Sequence, residues 1–336
     1  MTTETGLAQV AGAGRRVLVM STLALLAGSM APKPSNAQAA AATPIKLIVP
    51  FTPGTGIDLI ARQVGPKLAE RLGRPVIIDN RAGASGNLGT EAVVRAAPDG
   101  TTLLVTVNTL VMNRALYPNL PFDPVRDLDP VTLTSWGQLL LVASPKSGIA
   151  SASDLIVRAK ARPGALNYGS PGNGTPHHLA MELVKNQAGM FITHIPYRGT
   201  GPAVTDLLSG QIDVMFLPIH VALQHVKTGN LRALAISSDK PHPLLPDVPP
   251  LRSLNLGNLD VDMWYGVLAP KGTPKPLVER LNSELKSILE SPEVRSAFET
   301  QGMTPAHSSA QEFGALIERD AARWADVIKA QKISAD

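Results

Sequence analysis

The segment "IKLIVPFTPGTGIDLIARQVGPKLAERLG", residues 45 to 73, sets the terms for the whole chain. A short apolar run breaks into glycine, proline and threonine. Then Ile57, Ile60, Ala61, Val64, Leu68 and Leu72 recur at the spacing of one helix face. The order strand, loop, helix repeats at once, with "PVIIDN" as a buried strand, "GNLGTEAVVRAA" as a helix and "TTLLVTVN" as the next strand. Near-continuous apolar strands alternating with helices predict an α/β fold, a parallel sheet covered on both faces.

A second series opens after "LLLVASP", with "ALNYGS", a helix over 176–189, "FITHIPY", a helix over 201–209, "IDVMFLP", a helix over 219–228 and "LRALAIS". "VDMWYGVLAP" reads as a strand, followed by the helix "TPKPLVERLNSELKSILE", a short one over 292–301 and a last one from Ser309 to Lys332. In that last helix Phe313, Leu316, Ile317, Asp320, Trp324, Val327 and Ile328 trace one stripe, whose edge is polar because it includes Asp320. A chain of 336 residues exceeds what one core organises. "LLLVASP" and "WYGVLAP", similarly punctuated, suit two crossings between lobes. The expected lobes are 44–143 plus 263–336, and 144–262, with a ligand cleft between them.

Residues 1–37 read as a signal peptide: Arg15 and Arg16 precede "VLVMSTLALLAGSMA", and Ser35 and Ala37 offer small residues for cleavage. "GRRVLVM" also resembles a twin-arginine signal, so the export route stays open. Without this segment 28 basic residues face 26 acidic ones, too even a balance for a nucleic-acid binder. No later apolar run reaches the length of about eighteen residues that a membrane span needs. The absence of cysteine excludes disulfides, thiolate catalysis and a lipid-modified N-terminal cysteine. The expected protein is exported, soluble and periplasmic.

Three loops, "FTPGTGID", "NRAGASGNLG" and "YGSPGNGTPHHL", lie after a strand and before a helix, where open α/β sheets bind ligands. Two readings stand side by side: tight turns with helix caps, or backbone amides left open for an anion. Nucleotide motifs fail, because Leu59 and His177 stand where G-x-G-x-x-G needs glycine, and no phosphate-binding G-x-x-x-x-G-K-[ST] occurs. Ser85 and Ser170 are each displaced by one from a G-x-S-x-G elbow. His177 and His178 are neighbours and cannot readily share a metal, and H-E-x-x-H is absent. Asp206 and Asp213 are separated by Gly210, and His194 lies in an apolar strand and is expected to pack there. Arg81 and Arg198 suit either a carboxylate clamp or ion pairs with Asp79 or Asp58. Trp136, Trp264 and Tyr265 suit either an apolar wall of the cleft or plain packing.

The ordered series of segments from residue 44 to 336 resembles the solute receptors of tripartite tricarboxylate transporters, the Bug-type receptors. The segments carrying the resemblance include residues 45–104, "NYGSPGNGTPHHLAMELVK", "PYRGTGPAVTDLLSGQIDVMF", "GNLRALAISSDK", "LPDVPPL" and "WYGVLAPKGTPKPLVERLN". The resemblance implies a two-lobe periplasmic-binding-protein fold (type II, Venus flytrap). It also implies a monomer that captures a small carboxylate for membrane transporter subunits, with no cofactor, metal or catalysis. A periplasmic sensor signalling to a membrane kinase, or a hydrolase or lyase on the same scaffold, are the alternatives. Carried onto this chain, the resemblance places Phe51, Thr52, Gly54, Thr55 and Gly56 in the first-lobe loop, with Ala84 and Ser85 nearby. It places Ser170, Gly172, Gly174, Thr175 and His178 in the second-lobe loop, and Tyr197, Arg198, Gly199 and Asp213 at further motif positions. Two departures stand out. Thr55 follows Gly54 where the family usually has Gly-Gly, and "AGASG" replaces Pro-Gly-Ala-Gly-Gly, so a narrower or differently specific pocket is expected.

Overall fold

In a computed structural model, residues 43–254, 259 and 261–334 are described; the expected signal segment lies outside them. The first series runs β1 (Ile45–Val49), α1 (Gly56–Leu72), β2 (Val76–Asn80), α2 (Asn87–Val94), β3 (Thr102–Val107), α3 (Thr109–Leu116) and β4 (Leu128–Gly137). The second runs β5 (Leu139–Ala143), α4 (Ala152–Ala161), β6 (Asn167–Ser170), α5 (Pro176–Ala188), β7 (Thr193–Pro196), α6 (Thr200–Ser209), β8 (Val214–Pro218), α7 (Ile219–Lys227) and β9 (Arg232–Ile236). The chain then returns through β10 (Met263–Pro270), α8 (Lys275–Leu289), α9 (Pro292–Thr300), β11 (Met303–Pro305) and α10 (Ala310–Ala330).

Two sheets form, in the orders β11-β4-β10-β3-β1-β2 and β7-β6-β8-β5-β9. Each is mixed rather than purely parallel. β1 runs parallel to β2 and β3, and β6 to β7 and β8, while β10 and β5 run back antiparallel beside them. These two returning strands are the apolar segments read as crossings. β5 pairs with β8 and β9, so the chain leaves the first sheet after Gly137 and enters the second at Leu139. The chain reverses its sheet without a loop, and continuous hydrophobicity from 139 to 143 hides the switch. At the second crossing Ser237 ties both passages together: Leu139 N donates to its Oγ (2.9 Å), which donates to Asp262 Oδ1 (2.6 Å).

Both faces of the second sheet are covered. Leu139, Leu141 and Ala143 join the main core, while Leu140 and Val142 join a second cluster with Leu207, Ile219 and Ala222, as the period of two requires. Asp320, the polar member of the α10 stripe, is buried (7% exposed). Its Oδ2 accepts the Trp264 indole N–H at 2.8 Å and its Oδ1 accepts from Arg323 at 2.9 Å, fastening α10 to β10. Trp264 also meets Phe313 edge to face. Replacing Asp320 with alanine removes an acceptor from a buried donor and from a cation; a loss of about 2–3 kcal/mol is expected in denaturant unfolding, and less for Asp320→Asn.

Behind the end of β6, three rings stack: Tyr168 on His194 at 4.6 Å and His194 on His178 at 4.2 Å between centroids. Tyr168 O–H and Lys185 Nζ both donate to Glu182 Oε1. Burial, then the neighbouring Lys185 charge, pushes His178 down to about 4; burial, then His178, pushes His194 down to about 3. Both imidazoles are neutral in the fold, whereas the unfolded chain binds protons below about pH 6.5. Stability is therefore complete above that pH and declines as the pH falls towards 4. The melting temperature should drop through this window, and His178→Gln should flatten the decline, by up to about 1.4 kcal/mol per pH unit.

Candidate functional site

The three glycine-rich loops stand at the carboxyl ends of β1, β2 and β6, and they meet across the lobes. Asp58, the carboxylate in the first turn of α1, faces its own loop and not the cleft. Its Oδ2 accepts from Gly54 N and from Arg62 Nε, both at 2.9 Å, and its Oδ1 from Asn80 Nδ2 at 3.0 Å. Burial raises its pKa, but these hydrogen bonds outweigh burial and hold the carboxyl below its ordinary value.

The threonines that sequence suggests as helix caps do something else. Thr55 precedes α1, yet its hydroxyl donates to Thr52 O (3.0 Å); Thr175 precedes α5, and its hydroxyl donates to Gly172 O (2.7 Å). Neither closes its helix, and α3, α6 and α7 likewise begin without a side-chain cap. Ser151 and Ser309 cap α4 and α10, while α2, α8 and α9 also begin without a side-chain cap and line no part of the inner chamber described below. An uncapped first turn keeps amide donors and the positive end of the helix dipole available.

First-turn or cap residues of five helices, α1, α3, α5, α6 and α7, line one small inner chamber of about 40 Å³: Thr55, Gly56 and Ile57; Thr109; Thr175, Pro176 and His177; Thr200; Pro218, His220 and Val221. Val107, Met263 and Tyr265 close it from the first sheet, and Phe51 and Pro171 stand at its border. Beyond Phe51 and Pro171 lies an outer crevice of about 480 Å³, lined by Thr52, Ala82–Gly86, Gly172, Tyr197, Arg198 and Gly199. Arg198 is the single charged side chain lining either space among the described residues.

The outer crevice is narrowed by contact across the lobes. Gly83, Ala84, Ser85 and Gly86 all have positive φ, and for Ala84 (46°) and Ser85 (52°) this is a strained conformation. Asn113 Nδ2 holds the turn by donating to Ser85 O at 2.8 Å. The turn delivers Ser85 Oγ to the opposite lobe, where it donates to Asn173 O at 2.6 Å, with Tyr117 O–H donating to the same carbonyl at 3.3 Å. Gly172 and Gly199 permit this approach. A Cβ on the first would stand 2.9 Å from Ser85 Oγ, and on the second 3.1 Å from Thr52 Oγ1.

Of the residues expected from the family motif, Phe51, Thr52, Thr55, Gly56, Ala84, Ser85, Gly172, Thr175, Tyr197, Arg198 and Gly199 line one or both spaces. Gly54, Ser170, Gly174, His178 and Asp213 do not. Gly54 and Gly174 spend their amides on Asp58 and on His178 Nδ1. Ser170, fully buried, exchanges a hydrogen bond with His194 Nε2 at 2.7 Å, and this serine–histidine pair lines neither of the two spaces. Asp213 sits at the opposite end of its strand, accepting from Asn167 N at 2.8 Å. Asp206, paired with it by spacing, accepts from Tyr197 O–H at 2.6 Å. Arg81 bonds Asp79 (2.9 Å), the ion-pair option of the two. Sequence reading missed His177, His220 and Thr109. His177 is adjacent to the residue chosen, and a helical step of about 100° turns one imidazole into the chamber and the other into the core.

Residues 60–333 match the model of the tripartite tricarboxylate transporter family receptor. The chain is 38% identical to Protein BugT of Bordetella pertussis over 298 residues, covering 88% of this chain and 91% of that protein. Among solved structures it is similar to R. palustris Rpa4515 with adipate, at 31% identity and TM-score 0.83, covering 87% of this chain and 99% of that one. It is similar also to MatC (Rpa3494) from Rhodopseudomonas palustris with bound malate, at 31% identity and TM-score 0.80, covering 84% and 98%. Fold order, cleft loops and these likenesses agree: the chain belongs to the tripartite tricarboxylate transporter receptor family.

Proposed function

We propose that the protein is an extracytoplasmic solute-binding receptor that captures a small carboxylate in the periplasm and presents it to a membrane transporter. The observation that carries this reading is the convergence of five uncapped helix starts on one chamber that no carboxylate side chain lines. Such a chamber favours a negative group through main-chain dipoles alone. Support for the ligand class comes from the relatives that hold adipate and malate.

In this proposal the headgroup enters the inner chamber, and the body of the ligand lies in the outer crevice, where Arg198 and the amides around Gly172 and Gly199 receive any second polar end. The lobes are residues 44–138 plus 263–336, and 139–262, acting as a monomer that closes on its ligand. Micromolar binding, about −8 kcal/mol, lies within reach of a few charge-assisted hydrogen bonds of about 1.5–3 kcal/mol each, less ordering costs. In this proposal the cleft captures rather than turns over its ligand, and the Ser170–His194 pair lines neither the inner chamber nor the outer crevice.

A melting-temperature screen of purified protein, stripped of carried-over ligand, should show stabilisation by one or more mono-, di- or tricarboxylates and no consumption of the ligand. A flat response to the whole panel would refute the carboxylate reading. Ser85→Ala should leave the fold intact and weaken ligand affinity about fivefold in calorimetry, since one interlobe hydrogen bond contributes about 1 kcal/mol to the closed form. Unchanged affinity would remove Ser85 from the closure mechanism.

A further inference from the structure

The loop between β6 and α5 carries the carbonyl on which the contact between the lobes depends. Asn173 O accepts from Ser85 Oγ and from Tyr117 O–H of the first lobe. Its chain neighbours, Gly172 and Gly174, have φ of 143° and 78°, and glycines on both sides let this stretch of backbone turn in many directions. The direction of the Asn173 carbonyl must therefore be fixed by other bonds.

Each glycine is bonded by its amide. Gly174 N donates to His178 Nδ1 at 3.1 Å. A backbone N–H can only donate, so Nδ1 carries the lone pair of the neutral ring, and the ring proton is on Nε2, 4.0 Å from Glu182 Oε1. Gly172 N donates to Ser170 Oγ at 3.2 Å, and the same oxygen shares a 2.7 Å hydrogen bond with His194 Nε2. The two imidazoles lie face to face, 4.2 Å apart and 6° from parallel, so a shift of one ring is passed to the other. Tyr168 stacks on the far side of His194, and its hydroxyl meets Lys185 Nζ at Glu182 Oε1, which fixes the base of the stack. Neither histidine lines the inner chamber or the outer crevice. Whatever they contribute to binding passes through the loop.

We propose that His178 and His194 are positioning residues for lobe closure, which together hold the glycines on either side of Asn173 so that its carbonyl meets Ser85. The inference rests on the reading of the protein as a receptor that closes on its ligand, and extends it by tracing the interlobe contact to a stacked pair outside both ligand spaces.

A double-mutant cycle on closure tests it. The sequence has no cysteine, so Arg95→Cys and Thr205→Cys, at exposed positions beside α2 and on α6, take one spin label each. Electron–electron distance measurements then read the ratio of closed to open molecules, without ligand and with adipate or L-malate. Ser85→Ala should lower that ratio about fivefold, the loss of one hydrogen bond. His178→Leu should lower it at least as much, and in that background Ser85→Ala should add less than about twofold, because the carbonyl it bonds is no longer presented. His178→Asn, whose Oδ1 accepts the Gly174 N–H in place of the imidazole, should restore both the closed ratio and the fivefold effect. A full fivefold effect of Ser85→Ala in the His178→Leu background overturns the proposal, and so does a His178→Asn protein that closes as poorly as His178→Leu. A wild-type protein with no closed population under any of these conditions overturns it too; the receptor reading falls with it only when the wider carboxylate panel is also flat in melting. Should His178→Leu not fold, the same cycle with Ser170→Ala, which removes the acceptor of Gly172 N, decides by the same rule.

Discussion

The first turn of a helix has amides with no acceptor inside the helix, and the rest of this cleft is arranged around that deficit. In β–α units the deficit falls at the carboxyl edge of the sheet, and a two-lobe chain sets one such edge against another. Thr55 and Thr175 are the residue type that would ordinarily fill it. Each instead bonds a carbonyl three residues back, which tightens the loop and leaves the helix start open. The loop is held from behind by groups that never reach the ligand space: Asp58 under the first, His178 under the second. Anchoring residues and open donors are thus separated into two layers, and replacing an anchor would disorder the donors without touching a ligand.

That division explains what the sequence could reveal. Apolar runs and helical spacing placed α1, α5, α6, α7 and α10 nearly to the residue, because each buries a continuous stripe. α3 and α4 escaped notice: α3 follows β3 with only Asn108 between, so strand and helix merge into one apolar stretch, and α4 is short with a mostly polar surface. The glycine-rich loops were legible as a site because their composition is unusual. Which side of each loop faces inward was not, since His177 and His178 are equivalent in composition and differ only in helical phase. Asp213 shows the same limit along a strand. Its family motif is recognisable, but only the register with β6 reveals that it lies at the end away from the cleft. Asp320 was legible as a polar member of the α10 stripe, but its partner, the Trp264 indole, is 56 residues distant and was not.

On the proposed function, the cleft would hold an anion and still release it. A lysine or arginine in the inner chamber would lend more Coulomb energy, but burying that cation costs several kcal/mol whenever the site is empty. Dipoles and neutral imidazoles avoid most of that cost. The strained turn at Ala84 and Ser85 acts in the same direction. Two non-glycine residues at positive φ cost of the order of 1–2 kcal/mol each, comparable to what the bonds to Asn173 O return. In the proposed receptor the bond energy of a small ligand decides closure. Reversibility of this kind is what a receptor needs if it must surrender its cargo to a membrane partner, and it depends on the chamber walls having no permanent charge.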